Sequence, residues 1–104
     1  MEINITSKEQ YLEYVKSPRV LIDFNAKWCG PCRMLSPVLE EIAENDENLV
    51  IMKIDTDLLP ELAMEYKVSA IPALFFLKNG EVVGSSLGFL PKPQLEKLIK
   101  EKLD

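Results

Sequence analysis

Strand-like and helix-like segments alternate along this sequence, and few folds accommodate that order. The run Val20–Ile22 is continuously apolar, which is typical of a strand covered on both faces of a sheet. From Met34 to Ile42 the apolar side chains instead recur at helical spacing. Asn79 and Gly80 separate two later strand-like runs and form a strong hairpin signal. The predicted order is β-α-β-α-β-α-β-β-α, an α/β fold whose central mixed sheet has helices on both faces.

The first predicted helix begins close to the N-terminus. Thr6 and Glu9 match the S/T-x-x-E capping signal, so we expect Thr6 to cap this helix. It should end by Ser17–Pro18, because proline cannot continue a helix from within. The final helix is predicted to open at the segment "PKPQ".

Length and charge restrict the class of protein. The 104 residues, 47% of them hydrophobic, suit one domain with one core, which we assign to residues 1–104. The formal net charge of -5 disfavours nucleic acid as a ligand. The N-terminal segment lacks the basic stretch and apolar run of an export signal, and no apolar run approaches the roughly 18 residues of a membrane span. We therefore expect a cytoplasmic protein that does not enter a membrane.

Both cysteines and the only tryptophan fall within "KWCGPCR", Lys27 to Arg33. Two cysteines spaced by two residues in a reducing compartment indicate redox or metal chemistry more often than a structural staple. A zinc site needs about four ligands, and the sequence has no histidine and no second cysteine pair, so we predict no metal. The remaining alternative to redox chemistry is a pair of buried, inert cysteines.

The predicted position of Cys29 favours redox chemistry. It lies between a strand end and a helix start, where free N–H groups and the helix dipole stabilise an anion such as a thiolate. Gly30 and Pro31 keep the turn tight, and Pro31 suits the first turn of a helix. Cys32, one turn further on, should be shielded and protonated until it reacts.

Two neighbouring side chains also suggest a site. Trp28 is either part of the core or an apolar rim on which a partner docks, and its place beside the cysteines favours the rim. Asp23 stands in the apolar run "VLIDF", where a carboxyl group is costly unless it is partly wet or neutral. The alternative is an aspartate at a strand end that faces solvent.

The segments "DFNAKWCGPC" and "AIPALFFLKNGE", with Gly88 in "SLGFL", resemble the thioredoxin family. The similarity runs over essentially the whole chain, in order and without large insertions. It implies the thioredoxin fold and a thiol-disulfide oxidoreductase that reduces disulfides in other proteins. It also implies a cytosolic monomer without a bound cofactor, which a flavin-containing thioredoxin reductase returns to the reduced state.

The resemblance implies roles for three residues. Cys29 resembles the nucleophile that attacks a substrate disulfide, and Cys32 resembles the thiol that resolves the mixed disulfide. Asp23 resembles the buried acid that takes and returns the proton of Cys32. These three are the predicted catalytic residues.

The resemblance further implies a substrate groove beside the cysteines. Pro72 matches a proline that the family holds in a cis bond facing the pair, and Ile71, Pro72 and Gly88 would border the groove. The predicted substrate-binding residues are Trp28, Gly30, Pro31, Ile71, Pro72 and Gly88.

Three positions depart from the common pattern of the family. Asn25 stands where many members carry an aromatic residue, and Ala73 replaces a common threonine. Ile51 falls where many members have a lysine close to the buried aspartate, so we expect Asp23 to lack a neighbouring positive charge.

Two other functions suit the same fold. A disulfide oxidase or isomerase should have a more oxidising pair and an oxidising compartment, and the sequence shows neither an export signal nor a different dipeptide between the cysteines. A binding module would hold a partner on the apolar face around Trp28, Ile71 and Phe89 without turnover.

Overall fold

The computed structural model describes residues 1–104, and its nine elements follow the predicted order. They are β1 (Glu2–Ile5), α1 (Lys8–Tyr14), β2 (Arg19–Asn25), α2 (Gly30–Asn45), β3 (Val50–Asp55), α3 (Pro60–Glu65), β4 (Ala73–Lys78), β5 (Glu81–Leu87) and α4 (Lys92–Leu103).

The five strands form one mixed sheet in the order β1-β3-β2-β4-β5. Strand β3 pairs in parallel with β1 and β2, whereas β4 is antiparallel to both β2 and β5. The apolar run Val20–Ile22 therefore lies in the central strand, and all three of its residues are buried. This confirms the prediction of a strand covered on both faces.

The alternation of side chains along β2 divides the core into two layers. Ile22 and Phe24 pack on one face with residues of α1 and α3, including Tyr11 and Leu62. Leu21 points to the opposite face and packs with residues of α2 and α4. Asp23 shares the face of Leu21, so the alternation directs its carboxyl group toward α2.

Helix α1 starts one residue later than predicted. Its N-cap is Ser7, whose hydroxyl accepts a hydrogen bond from the Gln10 N–H at 3.1 Å. The Gln10 side chain in turn accepts from the Thr6 N–H at 2.8 Å. The prediction of Thr6 as the cap is therefore wrong. Ser7 and Gln10 have the same spacing as Thr6 and Glu9, one residue later. With Ser7 as the cap, the N–H groups of Thr6 and Gln10 both gain a hydrogen-bond partner.

Two turns use a positive φ at a residue other than glycine. Asn79 (φ 53°) and Gly80 (φ 89°) connect β4 to β5, which confirms the predicted hairpin. Lys67 (φ 54°) ends α3 in the left-handed conformation. Its N–H donates to the Met64 carbonyl at 3.0 Å, and the next N–H, of Val68, donates to the Ala63 carbonyl at 3.0 Å.

None of the helices combines the length and apolar character that crossing a membrane requires.

Candidate active site

The cysteine pair lies where β2 gives way to α2. Cys29 is the N-cap of α2, and its Sγ accepts a hydrogen bond from the Cys32 N–H at 3.2 Å. Pro31 occupies the first turn, where its missing N–H removes no helical bond. The predicted position of Cys29 at a helix start is confirmed, and negative charge on its sulfur is stabilised there.

Cys29 and Cys32 are joined by a disulfide, with their Cα atoms 5.2 Å apart. Both residues are buried, with exposed fractions of 4% and 6%, and they pack against Ala26 and Ile71. Cys32 is shielded as predicted, but Cys29 is shielded to the same degree in this oxidised form. The two sulfurs therefore differ in their surroundings more than in their exposure.

Cys29 borders a groove of about 460 Å³. One wall consists of Trp28 and the turn Cys29–Pro31, and the opposite wall is the segment 68–71, which includes Ile71. The Trp28 side chain is 68% exposed, and its Nε1–H donates to Asp57 Oδ2 at 2.9 Å. The tryptophan is therefore part of the rim and not of the core. Nothing in the sequence distinguishes Asp57, because an exposed aspartate in a loop carries no characteristic pattern.

Ile71 is fixed in the groove wall by its neighbours. The Ile71–Pro72 peptide bond is cis, as the resemblance implies. The Gly88 N–H donates to the Pro72 carbonyl at 2.8 Å, which ties the end of β5 to the start of β4. Gly88 has φ 87°, a conformation that favours glycine. Pro72 and Gly88 do not line the groove themselves; they are connected to it through Ile71.

Cys32 borders a second and smaller cleft, of about 130 Å³. Asp23, Ser36 and Lys53 also line it. Asp23 lies within β2 and is only 3% exposed, so the alternative of a solvated residue at a strand end is wrong. The structure thus brings the predicted acid and Cys32 to one cleft and opens Cys29 to the other.

The Asp23 carboxyl group has an unusual environment for an acid. Desolvation raises its pKa from an ordinary value of 3.8 to about 6. The positive charge of Lys53 and a hydrogen bond from Asn25 act in the opposite direction and limit the rise in pKa. A carboxyl group with a pKa near neutrality exchanges its proton readily under physiological conditions.

The prediction that Asp23 lacks a neighbouring positive charge is wrong. In the parallel register Ile51 is opposite Leu21 and is part of the core, whereas Lys53 is opposite Asp23. The Lys53 Nζ donates to Ser36 Oγ at 3.0 Å and lies 3.9 Å from a carboxylate oxygen of Glu2. The error arose because the sequence identifies the strand "VIMKID" but not its alignment with β2. A lysine between Met52 and Ile54 is as exceptional in its strand as Asp23 is in β2. This pattern in the sequence could have indicated that Lys53 lies near the site.

No three side chains of the types that bind metals cluster in the molecule. The site contains the cysteine pair, one buried acid and a groove beside the pair. That arrangement can form and break a disulfide and can move a proton to and from Cys32.

Comparisons with known proteins agree with this chemistry. The family model described as Thioredoxin matches residues 2–101. The chain is 43% identical to a thioredoxin of Chlamydia trachomatis, over 95% of this chain and 97% of the relative. It is 52% identical to a thioredoxin of Bacillus subtilis, over 81% of this chain and 82% of the relative. The solved structure of a mutant thioredoxin from Halobacterium salinarum is 33% identical, with a TM-score of 0.92 over 99% of this chain and 91% of that one.

Proposed function

The chain belongs to the thioredoxin family and is a thiol-disulfide oxidoreductase that acts on protein disulfides, and from that premise we propose how its residues share the reaction. Cys29 is the attacking thiol, Cys32 is the resolving thiol and Asp23 is the base for Cys32. The observation that supports this assignment is the division of the two sulfurs between two spaces. Cys29 lines the groove that a substrate can enter, and Cys32 lines the cleft that holds the acid.

The first step is attack of Cys29 on a substrate disulfide. In the reduced protein, the Cys29 thiolate at the helix N-cap bonds to one substrate sulfur, and the substrate S–S bond breaks. The other substrate sulfur leaves as a thiolate and takes a proton from solvent. The Cys32 N–H, 3.2 Å from the Cys29 sulfur, and the helix dipole favour the thiolate before attack.

The second step releases the substrate. The ionised Asp23 carboxylate takes the proton of Cys32, and the resulting thiolate bonds to the Cys29 sulfur. The mixed disulfide breaks, and the second substrate sulfur leaves as a thiolate. Two electrons have then passed to the substrate, and the protein holds the Cys29–Cys32 disulfide that the structure shows.

The substrate chain lies in the groove in front of Cys29. Trp28, Gly30 and Pro31 contact it from one wall and Ile71 from the other, and this placement is supported by the lining of the groove. Pro72 and Gly88 act on the substrate by fixing Ile71, as the hydrogen bond between them supports.

The wider setting follows from membership of the family. We infer that the protein is a cytoplasmic monomer and that residues 1–104 form one domain. Its partners are proteins with reducible disulfides and a flavin-containing thioredoxin reductase that restores the dithiol. The Cys29–Cys32 pair is the only redox group it needs, and the net charge of -5 supports the absence of nucleic acid from the list of partners.

Reduction of insulin disulfides by dithiothreitol tests the proposal. The protein should catalyse the reaction, and a variant with both Cys29→Ser and Cys32→Ser should lose catalysis while it remains folded. A single Cys32→Ser variant should trap substrates as mixed disulfides, whereas Cys29→Ser should trap none. Catalysis by the double variant, or trapping on Cys32 alone, would contradict the assigned roles. If the double variant kept its partners and its cellular role, the protein would be a binding module.

A further inference from the structure

The side chain of Asn25 lies next to the Asp23 carboxyl group. The two residues are separated by one position on β2, so both side chains project from the same face of the sheet. Asn25 Nδ2 donates to the main-chain carbonyl of Asp23 at 3.1 Å and to Asp23 Oδ2 at 3.4 Å. The first contact holds the amide group in place, and the second directs an N–H at the carboxyl group.

Asn25 is the only hydrogen-bond donor that reaches this carboxyl group. Asp23 Oδ1 is buried and has no partner, and Oδ2 has Asn25 alone. A buried carboxylate with few donors is disfavoured relative to the neutral acid, and each donor shifts the balance toward the charged form. The one bond from Asn25 therefore has more effect than it would have in a well-solvated site.

The charged groups on the neighbouring elements make no hydrogen bond to the Asp23 carboxyl group. Lys53 on β3 is bound to Ser36 on α2, and Glu2 on β1 lies 3.9 Å from the lysine. Cys32 and Arg33 face the cleft from α2, and Lys27 faces it from the loop before the helix. The residue opposite Asp23 on β4 is Leu74, which carries no charge.

We propose that Asn25 is a positioning residue for the resolving step, because its amide orients the Asp23 carboxylate beside Cys32 and favours the ionised form that accepts the Cys32 proton. The inference rests on the proposed function of Asp23 as the base. Asn25 itself exchanges no proton and forms no covalent bond. It increases the fraction of the molecules that carry a carboxylate ready to receive the proton.

The first test measures Asp23 directly. In the oxidised protein, where no thiol titrates, the carboxyl carbon of Asp23 is followed by NMR over pH and identified by its loss in Asp23→Asn. Asn25→Leu removes the donor at similar size and should raise the titration midpoint by about one pH unit. Asn25→Gln keeps an amide on a longer side chain, so its titration midpoint should lie between those of the parent and Asn25→Leu.

The same substitution at Asn45 is the matched control. Its amide donates to the Glu41 carbonyl on the surface of α2, so Asn45→Leu should leave the Asp23 midpoint unchanged. Asn25→Ala is a second donor-free variant. Both donor-free variants should fold, because the main-chain bond from Thr56 N–H to the Asn25 carbonyl, at 2.8 Å, does not involve the side chain. An unchanged midpoint in folded Asn25→Leu and Asn25→Ala overturns the proposal.

The second test measures the resolving step from a preformed mixed disulfide on Cys29. Below both midpoints Asn25→Leu should slow resolution about tenfold, and the rates should converge at high pH, since a shift of one unit changes the ionised fraction tenfold. In an Asp23→Asn background, Asn25→Leu should have no effect. If Asp23→Asn alone leaves the rate of resolution unchanged, Asp23 is not the base. The NMR titration then still shows whether Asn25 shifts the midpoint of Asp23. A shifted midpoint with an unchanged pH profile of resolution refutes the role of Asn25.

Discussion

Asp23 on β2 and Lys53 on β3 are opposite one another in the parallel register, yet the lysine ammonium binds the Ser36 hydroxyl at 3.0 Å and forms no ion pair with the carboxyl group. The positive charge therefore opposes desolvation without cancelling it. The result is an acid whose pKa lies at about 6. A fully formed ion pair would have held the carboxylate permanently ionised and made it a poor carrier of a proton.

Asp23→Asn should change how stability depends on pH. Burial raises the pKa of Asp23 from 3.8 to about 6, so the acid favours the folded state fully below pH 4, and that contribution is lost as pH rises through 6. Above pH 6 the buried carboxylate lowers the free energy of unfolding by about 3 kcal/mol, and the neutral amide of the variant avoids this loss. The free energy of unfolding of the variant relative to the parent should therefore rise by up to this amount between pH 4 and pH 8. Urea melts at both values measure it, and a constant difference would contradict the burial of the acid.

Lys53→Met should raise the pKa of Asp23 further. The lysine charge favours the carboxylate, so its removal leaves desolvation less opposed. The NMR midpoint of Asp23 should move above about 6, and resolution at pH 7 should become slower. Lys100→Met, in a cleft lined by Arg19 and Asp104, is the control and should leave the midpoint in place. An unchanged Asp23 midpoint in Lys53→Met would mean that solvent screens the Lys53 charge too well for it to affect the pKa of Asp23.

Alkylation of the reduced protein should distinguish the two thiols. In the oxidised protein Cys29 and Cys32 are about equally buried, so we expect the difference in reactivity to depend on the thiolate that the helix start stabilises at Cys29. A sub-stoichiometric dose of iodoacetamide near neutral pH should modify Cys29 many times faster than Cys32. Peptide mapping reports the ratio, and preferential labelling of Cys32 would reverse the assigned roles.

Lys67→Gly should stabilise the protein. Lys67 ends α3 at φ 54°, where a side chain is disfavoured and glycine is not. Replacement should raise the free energy of unfolding by up to about 1 kcal/mol. Lys67→Ala removes the same charge but keeps the Cβ atom, so it should give no comparable gain. Equal melting temperatures for the two variants would show that the conformation carries no strain.

The sequence predicted most of the fold because its elements are periodic and well separated. Val20–Ile22 and the stripe from Met34 to Ile42 determine a buried strand and the helix after it, and together they place Cys29 at the junction. Pairing between distant strands has no such local signal. The resemblance therefore pointed to Ile51 as the neighbour of Asp23 and to the absence of a positive charge there, whereas the register puts Lys53 opposite Asp23.

The cap of α1 shows a second kind of limit. Thr6 and Ser7 present the same signal one residue apart, and only the side chain of Gln10 selects between them. The cis bond before Pro72 has no signal in composition or periodicity at all, and only the resemblance to a family implied it.

The hydrogen bond from Gly88 to Pro72 also limits what another chain can do at this corner of the sheet. Proline has no N–H, and its carbonyl here is already occupied by Gly88 at 2.8 Å. Neither main-chain group of Ile71 has a main-chain partner. An extended peptide arriving beside the cysteines would thus meet one residue whose N–H and carbonyl both lack a main-chain partner, with the Cys29 sulfur 3.9 Å from that carbonyl oxygen. Under the proposed function, pairing with Ile71 would fix the peptide's alignment to one residue, and with it which of its atoms lies opposite the Cys29 sulfur.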